Sequence, residues 1–529
     1  MNELRIRQWV FTVFSFLWIA ILFLDYWDKH PIYWLSIVHF KYTGWLIINL
    51  IVAAVISAYC HRLFLFKKVK NPRINGLIIF GIFLFILNLS AFCFNQYLLA
   101  NLNVSHYFHL TQRSGYTLIC ALIVLIGAKN YGELLTKYLL QNESKGITKF
   151  LINTSLGFFI ISLILFGIGL FKLLILPVVL IALLLPSIIN YKSSMDLLRR
   201  WFWTPYSFPA TWTFWSQFML YFCLVITTLN FFYTQAPFPL GFDARNYYIN
   251  ISQLLAQNGG LIEGFQPYAW NLIASVGYVA FESPEVTMFL CTLGGFLSCW
   301  GIYELSVKYF NIKPNLAILS VLVFLITPAI GNHWVIEFKV DLTLLFIQFA
   351  ILCLLFYWIT KKKEGALITQ RSDWRILLIL SILMGFSLSI KLLSVFLTFG
   401  IFLVIWMSQK DRFGTLGIAS IGISLPILLR LDEISGLRQY HDHPNRAAYI
   451  FILIGIALLG YSIYKHSLEK LIKGLKAIIL SGAVMVLCIS PWVLKNYHEM
   501  PNASIMKIML GQKPQAKINL STIQRNYNK

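Results

Sequence analysis

The chain is predicted to be an all-α polytopic membrane protein, and three observations lead there. Hydrophobic residues fill 58% of its 529 positions and charged residues only 12%, whereas a water-soluble domain carries about a quarter charged. Its apolar stretches run to about 20 residues, the length that crosses roughly 30 Å of hydrocarbon as a helix, and they lack the ten-residue alternation of a barrel. The charges that do occur gather between those stretches. A mean hydropathy of +0.71, with 43 Phe, 26 Tyr and 16 Trp, describes a chain whose solvent is mostly lipid, where backbone groups must bond within helices. The excess of 43 basic over 21 acidic residues, +22 overall, would suggest nucleic acid in a soluble chain. Here the basic residues sit in short connections and read as topology signals, so no nucleic-acid partner is expected. Eight cysteines show no CxxC spacing, which suggests neither a zinc site nor a disulfide framework.

The first crossing is expected at 8–24 and read as an uncleaved span, since no small-residue cleavage site follows it. Further spans are expected at 44–61, 75–99, 115–128, 150–170 and 173–190, that at 115–128 being short. These six form an N-terminal membrane region, 1–211, of unassigned role. A core region, 212–496, opens with a span at 212–232 and continues through 285–307, 314–331, 340–360, 376–390, 392–408, 414–430, 447–464 and 477–494. A polar tail, 497–529, follows. After the first core span comes a polar and aromatic stretch from Tyr233 to Gln266, then PYAWNLIASVGYVAF, 267–281. Fifteen residues are short for a crossing.

Whether that segment crosses sets the sidedness of everything after it, and Lys and Arg accumulate in short cytoplasmic loops. If it does not cross, the inner loops after residue 233 hold thirteen Lys and Arg against seven outside, a margin that the tail's basic residues narrow. In the N-terminal region the same count is twelve against four. The expectation is therefore about fifteen spans, N-terminus inside, with 267–281 an interfacial or re-entrant helix in the first outer loop of the core. Polar residues left unexplained by topology then share the outer face: Asp243, Arg245 and Glu263; His333, Glu337, Lys339 and Asp341; Lys391; Arg438, His441, Asp442, His443 and Arg446; and Lys495. Loops carried on one face of a rigid scaffold are where binding and catalytic groups usually sit.

Asp243 stands just after Gly241 in GFDARNYYINISQLLAQNGG, where 244–257 has helical spacing. The bland reading is a helix cap. The functional one is a carboxylate held rigidly at the membrane surface, placed to take a proton from a hydroxyl. Lys391 lies in an almost unbroken apolar run, 376–408, where a charge snorkels, pairs or serves a ligand; a phosphate is the ligand suited to an ammonium. In WVIEFKVDL an intraloop salt bridge suits Lys339, Asp341 looks like a cap, and Glu337 is the candidate second acid or metal ligand. His441, Asp442 and His443 are metal-ligand types, but adjacent loop positions followed by Pro444 and Asn445 read as a turn. No cofactor is assigned, and ligand spacing does not support a divalent metal. Tyr247 and its aromatic neighbours Tyr248, Tyr268, Trp270 and Trp334 suit sugar stacking, although aromatic belts arise at interfaces anyway.

Four segments carry a resemblance: FDARNYYINISQLLAQNGGLIEG, KVDLTLLFIQFAILCLLFYW, GFSLSIKLLSVFL and SPWVLKNY. In this order and spacing they resemble the bacterial C-type (GT-C) glycosyltransferases that use polyprenyl-phosphate sugars, in the mannosyltransferase-like and lipid A sugar-transferase-like branch. The resemblance covers about 212–498. It implies an inverting transfer to a hydroxyl of an extracytoplasmic acceptor, a glycolipid, polysaccharide or protein, in the bacterial cytoplasmic membrane. Asp243 matches the family's first-loop acid, taken as the base; Lys391 matches its basic residue near the lipid phosphate; Lys495 is a second phosphate partner. Many members carry a second acid where this chain has Ala244, which leaves a metal requirement without its usual ligand. Two other classes compete. A polysaccharide ligase or polymerase would centre on Arg438, His441 and Arg446. A transporter or flippase of lipid-linked sugars would show paired charges in mid-span and an internal repeat, and neither is visible.

Overall fold

The structure is a computed structural model. It describes residues 73–74, 76–98, 104–139, 146–204, 206–207, 214–235, 241–264, 266–335, 337–362, 371–407, 412–428, 444–465 and 468–500, together with Val55. The spans expected at 8–24 and 44–61, the 431–443 loop with Arg438, His441, Asp442 and His443, and the tail from 501 lie outside the described residues.

Apart from a two-residue antiparallel pairing of Arg73–Ile74 with Tyr206–Ser207, the described elements are helical. Their order begins α1 (Gly76–Leu98), α2 (Val104–Leu139), α3 (Gly146–Leu170), α4 (Leu176–Ile189), α5 (Tyr191–Leu198) and α6 (Phe214–Tyr233). Then come α7 (Ile249–Asn258), α8 (Ala269–Ala274), α9 (Val276–Val279), α10 (Pro284–Glu304), α11 (Pro314–Ile326) and α12 (Pro328–Val335). The last six are α13 (Asp341–Lys361), α14 (Arg371–Ile390), α15 (Val395–Met407), α16 (Arg412–Leu428), α17 (Pro444–Lys465) and α18 (Leu468–Glu499). Among the described residues eight helices are long and apolar enough to cross a membrane, namely α2, α3, α6, α10, α13, α14, α17 and α18. The pair α4 and α5, with the π-helical turn Arg199–Trp203, makes a ninth candidate that bends by 86°. This is the helix inventory of a multi-pass membrane protein.

The helices start and stop where local chemistry directs. Ser283 opens α10, its hydroxyl accepting the Val286 amide at 3.2 Å, with Pro284 in the first turn; this is the usual N-terminal combination. Gly259 ends α7 at φ +61°, a conformation glycine adopts without strain. Its carbonyl accepts the Leu174 amide at 2.9 Å, which ties α7 to the turn between α3 and α4.

The main helix pairs are α2 with α3, α10 with α13, α14 with α18, and α16 with α17. Small residues permit the tightest of these approaches. A Cβ on Gly157 would stand 1.5 Å from the Ala128 carbonyl oxygen, and one on Gly294 would stand 2.2 Å from the Thr343 Cα. Helices from before residue 211 share the core of the later ones. One hydrophobic cluster runs from Leu87 through Phe158, Trp270, Phe346 and Phe386 to Trp492. Burial separates centre from rim: 72% of the apolar window of α10 is covered by protein, against 17% for α17. Exposed Ile450, Leu453 and Ile456 on α17 form the kind of surface that lipid covers.

The segment 267–281 forms α8 and α9, broken at Ser275. Every residue of α8 is buried, against α3, α10 and α14 among others. A helix lying along a lipid interface would leave a face outward. This one is held inside the bundle because it has no polar face to present, and Asn271 satisfies itself on the Tyr248 carbonyl at 2.9 Å.

Candidate functional site

Five segments far apart in sequence meet at one end of the bundle: the turn before α7, the start of α8, the 337–341 loop, the break after α14 and the end of α18. Asp243 precedes the π-helical turn Ala244–Tyr248 but does not cap it, since its backbone is already helical (φ −65°) and its side chain makes no capping bond. The bland sequence reading of this residue therefore fails. Glu337 does the capping instead, its Oε2 accepting the backbone amides of Asp243 at 2.9 Å and Ala244 at 3.3 Å. With those free donors satisfied from another loop, the Asp243 carboxylate turns to Lys339 at 2.7 Å. Lys339 pairs across loops, not within its own. Burial draws its ammonium pKa down, but the hydrogen bond and charge of Asp243, with Glu337 and Asp341 behind, carry it above the ordinary lysine value.

The loop that supplies both contacts is held under strain. Phe338 has φ +43°, costly for a bulky side chain, and its ring is buried. The buried ring anchors the loop while the residues on either side of it, Glu337 and Lys339, both reach the turn at 243. Above them, His333 feels burial first, then the charges of Asp341, Lys339, Lys391 and Glu337, and its pKa is lowered.

Lys391 occupies a break, not mid-helix. α14 ends at Ile390, Lys391 is extended (φ −158°), and a 3₁₀ turn leads into α15. Its ammonium meets Asp341 Oδ1 at 2.6 Å, so it pairs with a carboxylate in place of snorkelling. Asp341 sits in the first turn of α13, where the helix dipole favours an anion. Its other oxygen is buried and makes no hydrogen bond among the described residues.

Lys391 lines a small open cleft with Tyr247, Tyr248, Gln266, Pro267, Tyr268 and Asn271. Burial, with Asp341 and Asp243 adding to it, raises the Tyr248 pKa, so the phenol stays protonated. The Tyr268 hydroxyl is tied to Ile262, accepting its amide at 2.8 Å, and its ring stacks edge-on against Trp492 with centroids 4.6 Å apart. Trp270 and Trp334 are fully buried core residues.

The structure does not bring every expected residue to the cleft. Lys495 is 3% exposed, bound to Glu499 at 2.9 Å and Asn496 at 3.2 Å, and does not line it. Glu499 also accepts the Gly264 amide at 2.6 Å, so Lys495 belongs to a brace that holds the 259–264 turn on α18. Arg446 stands exposed at the start of α17, which packs chiefly on α16. Among the described residues no three His, Cys, Asp or Glu side chains come together to hold a metal ion.

Asp341 as the partner of Lys391, and Gln266 and Asn271 in the cleft wall, were missed by sequence reasoning. An asparagine inside an apolar run was the available signal for Asn271; fifty residues separate Asp341 from Lys391 and no local pattern joins them. The chain matches no family model, no curated protein and no solved structure.

Proposed function

We propose that the chain is an integral membrane glycosyltransferase that moves a sugar from a polyprenyl-phosphate donor to a hydroxyl of an extracytoplasmic acceptor, with inversion. The observation that carries this reading is that the ion pairs Asp243–Lys339 and Asp341–Lys391 both lie near Tyr248, and that Lys391 lines a cleft with that tyrosine. The reaction needs those kinds of group. The acceptor oxygen attacks the anomeric carbon, its proton passes to the Asp243 carboxylate, and the bond from that carbon to the phosphate oxygen breaks. The leaving lipid phosphate carries its own charge away, so the protein has to supply a base, a cation and a lipid-accessible groove. Asp243, about a third exposed, is accessible as the base, and Lys391 is the cation in the cleft wall. Tyr247 and Tyr248 offer ring faces to a sugar.

The same reading orients the chain. About fifteen crossings, N-terminus inside, put the Asp243 end of the bundle outward, in agreement with the distribution of Lys and Arg between the loops. A bacterial cytoplasmic membrane is the setting in which polyprenyl-phosphate sugars are met on that side.

Mass spectrometry of envelope glycolipids, polysaccharides and glycoproteins from a deletion strain tests the proposal. The expected result is one product lighter by a single sugar, restored by the wild-type chain and not by Asp243→Asn. An unchanged profile in all three fractions would sink it.

A further inference from the structure

Lys391 can serve a phosphate only with an ammonium that already has a partner. That partner is Asp341, at 2.6 Å, and the two side chains are a third and a quarter exposed. An incoming phosphate and the Asp341 carboxylate then compete for one cation, and if both stayed close the two anions would repel. Asp341 is poorly satisfied where it is, because its second oxygen is buried without a hydrogen bond among the described residues. A merely structural ion pair in an apolar bundle is normally completed by further donors; this one is not. Its cation faces the cleft beside Tyr247, Tyr248 and Asn271.

We infer that Asp341 is a resident counter-anion for the phosphate position. It holds the Lys391 side chain in the cleft wall, yields it when a phosphate enters, and reclaims it when the phosphate leaves. Affinity for the lipid phosphate is thereby kept low, which favours release of the product after the sugar has been transferred. The inference rests on the phosphate role proposed for Lys391 and adds a role for Asp341 to it. Its distinguishing consequence is one of sign. A carboxylate that only positions Lys391 would weaken phosphate binding when removed; one that competes with phosphate would strengthen it.

The test is binding of farnesyl phosphate to the purified full-length chain in nanodiscs, with farnesol as the control for the lipid tail. Asp341→Asn should bind farnesyl phosphate about three- to tenfold more tightly, the range expected when a partly exposed ion pair no longer has to be broken. Asp341→Ser, which removes the charge with a different side chain, should move the same way, and Asp341→Glu should stay near wild type. Lys391→Met should lose about tenfold or more in every background, and farnesol binding should not change. If Lys391→Met loses binding while both neutral variants bind as wild type or more weakly, Asp341 is not a competitor and the phosphate reading of Lys391 stands alone. If Lys391→Met binds as wild type, the phosphate reading fails and the inference goes with it. Equal tightening towards farnesol would show a change in the lipid groove and also overturn the role of Asp341.

Discussion

Two lysine–carboxylate clusters lie towards opposite ends of the same bundle, and they are built differently. Near one end, Lys129 meets Glu133 at 2.5 Å and also bonds Ser193 and Asn130. Ser193 donates to Glu133 as well, Lys149 stands 3.9 Å from its other oxygen, and Asn130 bonds Ser194 at 2.7 Å. Near the other end are Asp243 with Lys339 and Asp341 with Lys391. Arg113 and Tyr116, which meet Glu285 and Phe281 at the site end, lie on the same helix as Lys129; sixteen residues of helix correspond to roughly 24 Å. The first cluster is closed: the Lys129 ammonium has three partners, one Glu133 oxygen takes both Lys129 and Ser193 while the other faces Lys149, and the group staples α2 to the bend between α4 and α5. The second leaves an Asp341 oxygen without a hydrogen bond among the described residues and a lysine in a cleft wall. Buried charges that serve structure tend to be saturated, and groups that must exchange partners cannot be.

That difference predicts different failures. The largest effect should come from Asp243→Asn, which keeps the shape of the side chain and its helical backbone while removing the base. Turnover should fall about 10²- to 10⁴-fold, with expression, thermal stability and donor binding close to wild type. Near-normal turnover would reduce Asp243 to a partner of Lys339.

Next in size is Glu133→Gln in the closed cluster. Removing the carboxylate of this partly buried pair leaves Lys129 with neutral partners only and costs about 1–3 kcal/mol. The expected outcome is low yield and a lowered melting temperature in detergent, with turnover per folded molecule unchanged. A stable Glu133→Gln protein that has lost transfer would erase the distinction between the two clusters.

The extent to which this arrangement was legible in the sequence follows from the range of each interaction. Helix positions depend on local hydrophobicity, and some described helices lie close to the expected spans, such as Gly146–Leu170 against 150–170 and Pro284–Glu304 against 285–307, while the short span expected at 115–128 is the helix Val104–Leu139 and that at 314–331 breaks at Thr327. Asp243, Glu337 and Lys391 stood out because charge is rare in such a chain. Which of them pair did not, because contacts across 50 and 94 residues depend on how α13, α14 and the 241–248 turn pack. For the same reason the local pattern offers the nearest carboxylate, Asp243, as a cap, while the distant Glu337 accepts those amides. Lys495 stands out by its position at a span end, which says nothing of Glu499 one turn later, its partner at 2.9 Å.

Lys391→Met sharpens the comparison further. A lysine that only reaches for headgroups tolerates the change, whereas one that meets a phosphate does not. The donor Michaelis constant and inhibition by free lipid phosphate should weaken together by about tenfold, while Lys391→Arg keeps part of the affinity and positions the donor less well. Wild-type values for both quantities in the methionine variant would return Lys391 to a structural role.

The smallest effect concerns His333, which lies among the charges of the open cluster. Its pKa is lowered, burial being the first cause, so the unfolded chain takes up the proton before the folded one as pH falls. The sign follows directly: stability is full above the ordinary histidine value near 6.5 and declines as pH drops below it, because protonation favours the unfolded state. His333→Gln removes that titration. The comparison to make is melting temperature in detergent at pH 7.5 and pH 5.5 for both proteins. The wild type should lose more on acidification than the glutamine variant. The carboxylates they share contribute the same background to both, and the closed cluster contains no histidine, so a difference between the two slopes reports the site end alone. Identical slopes would mean that His333 titrates as it does in solvent, and that the cluster around it is wetter than its packing suggests.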